Sequence, residues 1–160
     1  MINSLPQPIA ASNLPELGQP LAGGVFIARY WLNSQEKALV VLNNEYEGVW
    51  GEVDVRINGA SSSSDGYANT RAMAEAGSEI AIKALEIGAF IPSCLEGQLL
   101  IDAHKAGLVK LNEKSYYWLS SEFSSRFASS MGFGRAWIIE DLNHKGSKRT
   151  VRPVLSIPVE

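Results

Sequence analysis

Hydrophobic and polar positions divide this chain into three blocks: strand-like runs, then helix-like stripes, then strand-like runs again. Residues 25–32 and 37–42 are rich in β-branched and aromatic side chains, and Asn33-Ser34-Gln35-Glu36 between them predicts a hairpin. The second run, Ala38-Leu39-Val40-Val41-Leu42, is apolar at every position, which predicts a central strand covered on both faces. Val53, Val55 and Ile57 alternate with Asp54 and Arg56, the period of a half-buried strand. A serine-rich loop, 58–64, follows.

The period then lengthens. Met73, Ala76, Ile80, Ala81, Ala84 and Ile87 share one stripe, predicting a helix over roughly 70–87 capped by Asn69 or Thr70. Gly77 lies on that stripe and weakens it, Glu79 and Lys83 stand one turn apart, and Gly88 ends it. Ser93 and Glu96 have capping-box spacing, so a second helix is expected from there to Ala106, burying Leu95, Leu99, Leu100 and Ala103, with Gly107 as its stop. Beyond it Tyr116-Tyr117-Trp118-Leu119-Ser120-Ser121-Glu122 reads as an aromatic strand anchored in the core. A loop over 123–134 and two strand-like segments, 135–141 and 149–159, complete the chain. Strands, two helices packed on antiparallel sheets, then strands make an α+β pattern.

Composition narrows the class. The 160 residues are 46% hydrophobic and 19% charged, suited to one domain that buries roughly 70% of its unfolded surface. Prolines at 6, 8, 15 and 20 mark residues 1–22 as an extended arm, leaving 23–160 as the domain. The net charge of −3 argues against a nucleic-acid-coating protein. Residues 1–19 have neither the basic nor the apolar region of a signal peptide, and no run is long enough to span a bilayer. A cytoplasmic product is therefore expected, free there or assembled into something larger.

Candidate chemistry is sparse. Cys94, the one cysteine, sits where a first helical turn favours a thiolate, but His104 is ten residues on and nearly three turns away, which makes no dyad. His104 and His144 lack ligand spacing to other donors, and Asp65 with Asn69 falls short of a calcium set, leaving turn and cap roles. Gly132-Phe133-Gly134 lacks the spacing of a phosphate cradle. No catalytic residue, metal or cofactor is expected. Two binding features remain. Residues 123–131 mix Phe123, Arg126, Phe127 and Met131 with small polar residues, a paratope-like composition; alternatively Phe123, Phe127 and Phe133 fold inward as core. Lys145, Lys148, Arg149 and Arg152 form a basic cluster suited to a sulfated glycan, a phosphate or an acidic protein face, or else a solvated hairpin.

With those residues on the page, the chain resembles the DUF1566 family, also called the Lcl C-terminal domain family. The resemblance rests on Leu17-Gly18-Gln19-Pro20-Leu21-Ala22-Gly23-Gly24-Val25-Phe26, Asp65-Gly66-Tyr67-Ala68-Asn69-Thr70, Ile91-Pro92-Ser93 with Glu96, Tyr117-Trp118-Leu119-Ser120-Ser121-Glu122 and Val151-Arg152-Pro153-Val154. It implies a C-type-lectin-like fold and a phage or prophage origin. Where the family carries an Asp-Trp pair, this chain has Gly88-Ala89-Phe90-Ile91. The expected function is non-enzymatic recognition of a protein or glycan through the 123–134 loop and the 143–149 hairpin. Phe123, Arg126, Phe127, Met131, Phe133, Lys145, Lys148 and Arg149 are the expected binding residues. In a virion the arm would attach the domain to a tail, as a dimer or trimer. The alternative is a phage accessory protein in the host cytoplasm that binds and inhibits a host factor such as a defence component.

Overall fold

The run that is apolar at every position becomes the middle of a sheet. A computed structural model describes residues 5–133 and 137–160. In it β1 (Pro20–Leu21), β2 (Gly24–Leu32), β3 (Gln35–Val41) and β9 (Val154–Pro158) form an antiparallel sheet in the order β1-β2-β3-β9. Successive side chains of β3 enter opposite faces. Leu39 and Val41 join Ile27, Tyr30 and Leu100 in one core, while Ala38 and Val40 join Phe26 and Ile157 in another. The hairpin turns on two residues, not four: Asn33 and Ser34 both take positive φ, 51° and 62°, the mirror-image turn that suits strand twist.

Three helices follow where two were expected. α1 (Gly66–Glu75) and α2 (Glu79–Glu86) replace the single helix over 70–87. Gly77 is the break. At φ +90° it lets its own N–H reach the Ala74 carbonyl and the Ser78 N–H reach the Met73 carbonyl, the paired bonds that close a helix end. The cap of α1 is Asp65, whose side chain accepts from the Ala68 N–H at 3.0 Å. Asn69 and Thr70 are instead buried inside the helix, Asn69 donating to the Ser62 carbonyl and Thr70 accepting from the Ile91 N–H. α3 (Cys94–Lys105) has the expected capping box: the Ser93 hydroxyl receives the Glu96 N–H, and the Glu96 carboxylate receives the Ser93 N–H. Leu100 and Ala103 are buried as expected, but Leu95 is exposed.

The second sheet holds β4 (Tyr46–Gly48), β5 (Tyr117–Glu122), β6 (Phe127–Phe133), β7 (Trp137–His144) and β8 (Arg149–Val151), in the order β4-β8-β5-β6-β7. Its β5–β8 pair is parallel, so this sheet is mixed. Most of the expected loop over 123–134 is therefore strand β6, and the segment 149–159 is two strands in two sheets, parted at Arg152-Pro153. Residues 53–57 form no strand. Trp118 and Trp50 are fully buried in the core between α1, α2 and this sheet. β5 leaves its ladder after Trp118, and its freed backbone is met by loops: Ser120 N–H by the Pro92 carbonyl, Glu122 N–H by that of Ala60, and the Leu119 carbonyl by Trp50 Nε1 at 2.8 Å.

The described part of the arm is docked. Ile9 bridges Val159, Ala11–Asn13 makes a single 3-10 turn, and Pro20–Leu21 joins the first sheet. The architecture is α+β, with three helices between strands drawn from both ends of the chain.

Candidate recognition surface

One member of the expected basic cluster is wholly enclosed. Lys145 is fully buried. Its Nζ donates to Glu122 Oε2 at 2.8 Å and to the Val55 carbonyl at 2.9 Å, and lies 4.8 Å from the centre of the Trp50 ring. Its backbone N–H donates to the Arg126 carbonyl and its carbonyl accepts from Trp50. Glu122, also enclosed, accepts the Ile57 N–H on Oε2 at 2.8 Å; Oε1 makes no hydrogen bond but lies 3.6 Å from Arg56 Nε. Burying two charges is costly unless each is paired and hydrogen-bonded. Here the pairing ties three segments together: the 52–57 loop, the end of β5, and the hairpin after β7.

Above that pair lies a small face. The Phe123 and Ser124 N–H groups both donate to the Phe127 carbonyl, and Ser124 Oγ accepts the N–H groups of Arg126 and Phe127, which fixes a tight turn over 123–126. The Asp54 N–H donates to the Ser125 carbonyl, and Arg126 Nε donates to Asp54 Oδ1 at 2.6 Å, joining the turn to the 52–56 loop. Asp54 takes φ +67°, which ended the alternation read as a strand. Phe123 is 51% and Val55 40% exposed, beside the exposed side chains of Arg126 and Arg56. Two exposed apolar groups and two exposed guanidinium groups are thus carried on two segments that are tied to each other.

The other expected binding residues are dispersed. Met131 is fully buried in the first core, since residue 131 of β6 points inward opposite Tyr117. Phe127 is half-buried, edge-on to the His144 ring. The side chain of Phe133 lies outside the described residues. Lys148 is exposed on the hairpin, whereas Arg149 is drawn back over the Tyr116 ring at 4.8 Å. Arg152 is buried, binding the Leu42 carbonyl and Glu45 Oε1. The basic cluster therefore does not exist as a patch. Asp54, Val55 and Arg56 were missed because their alternation matches a strand; their polar flanks, Glu52 and Asn58, were the available hint.

No catalytic arrangement joins the remaining candidates. Cys94 packs against the first core, and its N–H donates to Ser121 Oγ. His104 accepts the Leu111 N–H on Nδ1 and meets Glu113 through Nε2 at 3.2 Å. His144 accepts the Gly146 N–H on Nδ1. Glu96 is a buried hub, receiving the N–H groups of Gly66 and Ser93, the Ser93 hydroxyl, and the Tyr30 hydroxyl at 2.7 Å. Burial pushes its carboxyl above the ordinary range, against the opposite pull of those bonds. Among the described residues, no group of three or more His, Cys, Asp or Glu side chains could hold a metal ion, and no helix is long and apolar enough to cross a membrane.

No family model and no curated protein matches the chain. The fold is similar to that of a fimbrial protein from Bacteroides ovatus ATCC 8483, with a TM-score of 0.50 and 14% identity. That likeness covers 75% of this chain and 36% of the other, so the chain spans little more than a third of that protein's length. At this identity the likeness concerns the fold alone. It agrees with the α+β architecture.

Proposed function

We propose that this chain is a non-catalytic recognition domain of the DUF1566 type, C-type-lectin-like in fold and phage- or prophage-derived. It holds a protein or glycan partner on the face built from the 123–126 turn and the 52–56 loop. The supporting observation is the exposure of Phe123 and Val55 beside Arg126 and Arg56 on backbone tied from beneath by Lys145. Guanidinium groups suit carboxylate or sulfate partners, which they grip with paired hydrogen bonds. The lectin-like reading draws support from a domain closed by its own ends: the strand Val154–Pro158 pairs with β3, and Ile9 bridges Val159.

Arg126→Glu is the direct test. The substitution reverses the charge of the face and sets a second carboxylate beside Asp54. The Arg126–Asp54 pair is exposed, so its loss should cost less than about 1 kcal/mol and barely move the melting temperature. Capture of proteins from bacterial lysate and binding to a sulfated-glycan array should both be lost. Undiminished capture by the variant removes this face as the site.

A further inference from the structure

Among the described residues, the outer edge of β9 carries one backbone position without a backbone partner. Val154 exchanges both of its hydrogen bonds with Phe90, at 2.8 and 3.0 Å, on the side away from β3. Four residues on, the Pro158 carbonyl accepts the Ile9 N–H on that same side, whereas the Val159 N–H faces β3 and donates to Glu36. Backbone groups alternate along a strand. Leu155 and Ile157 therefore bond β3, opposite Val40 and Ala38, and the N–H and C=O of Ser156 point outward. Among the described residues neither group has a backbone partner.

Among the described residues, neither flanking segment continues to this position. Antiparallel continuation from Phe90 would place Gly88 opposite Ser156, but Gly88 takes φ +74° and its N–H closes α2 on the Leu85 carbonyl. Parallel continuation from Ile9 would run through Gln7, flanked by Pro6 and Pro8, and would need a donor from Pro158, which has none. Leu5 and Pro6 of the arm line the cavity that opens in front of Ser156. That cavity measures about 830 Å³, and Tyr67, Ile82, Leu85, Phe90 and Leu155 form much of its wall.

We infer that this gap is a docking slot for a short, extended, apolar peptide segment of a partner protein, added antiparallel at the edge of β9 with one residue exchanging both hydrogen bonds with Ser156. An outward N–H and C=O on one residue are matched reciprocally by one residue of an extended chain. The distance between the two flanking bridges, four residues at about 3.3 Å each, or about 13 Å, admits roughly three residues. Tyr67, Ile82, Leu85, Phe90 and Leu155 suit apolar side chains, with the charged Lys37, Asp65, Arg71 and Glu86 on the same wall. This slot shares no residue with the Phe123–Arg126 face, so either site can fail without the other.

Amide exchange of the isotopically labelled full chain, alone and with N-acetyl-Leu-Val-Leu-amide as the probe, decides it. In the free protein the Ser156 amide should exchange fast while Leu155 and Ile157 exchange slowly. The probe should shift and slow Ser156. Ser156→Pro removes the outward donor without touching the ladder to β3, and should weaken probe binding about tenfold or more, whereas Ser156→Ala should bind as the parent does. Ile82→Lys, on the exposed rim of the cavity, should weaken binding too and serves if the proline variant does not fold. A Ser156 amide as protected as its neighbours in the free protein would show the edge already covered by the arm, and would overturn the inference. So would undiminished binding by Ser156→Pro or Ile82→Lys, probe-induced shifts confined to other regions, or no shift at Ser156 up to the probe's solubility limit.

Discussion

Lys145→Met is expected to destabilise the fold by about 3–5 kcal/mol, the range for removing one partner of an enclosed ion pair. The methionine fills much of the lysine's space but leaves Glu122 charged, enclosed and without its 2.8 Å partner. The Val55 carbonyl also loses its donor. Adding Glu122→Gln, which removes the stranded charge while keeping an acceptor for the Ile57 N–H, should recover a large part of the loss. Denaturant unfolding of the two variants and the parent measures this. A loss below about 1 kcal/mol for Lys145→Met would mean that the pair does not organise the loops above it.

Trp118→Ala should cost about 3–5 kcal/mol, through the cavity left in the core that Trp118 shares with Trp50, Ile80, Ala128 and Val151. Its indole also donates to the Gly48 carbonyl at 3.0 Å, and that bond joins β5 to β4 across the sheet. At roughly 2–4 °C per kcal/mol for a chain of this size, melting should fall by about 6–20 °C. Trp118→Phe keeps most of the apolar volume and should cost clearly less. If the alanine variant melted within a degree or two of the parent, Trp118 would not be the anchor its burial implies.

What could be read in the sequence was what local pattern determines. β3 was legible because every position in 38–42 is apolar, the run is short and holds two valines, and a turn signal precedes it. The start of α3 was legible because Ser93 and Glu96 make their bonds to each other, three residues apart. Gly77 shows the limit of periodicity: the apolar stripe continues through it, while its freedom at φ +90° lets two separate helices fold back into contact. The stripe records which side faces the core, not whether the axis runs straight.

The placement of the candidate binding residues was the least legible, and Lys145 shows why. Lysine on a hairpin beside glycine is ordinarily solvated, and only partners at positions 55 and 122 draw it inward. Ser129, Ser130 and Gly132 around Met131 signal a loop, yet β6 buries these small polar neighbours as well. By contrast, Phe123 and Arg126 lie in the short turn that remained outside the strands, where Ser124 and Ser125 signal a change of direction. The structure takes the basic hairpin away from the candidate face and joins the 52–56 loop to the 123–126 turn.

Deuterium exchange of the protein with and without a partner captured from bacterial lysate is the most direct measurement of the recognition claim. Slowed exchange should concentrate in 52–56 and 123–126, the two segments joined by the Asp54–Arg126 bond. Unchanged exchange there, with protection elsewhere on the domain, would contradict the account.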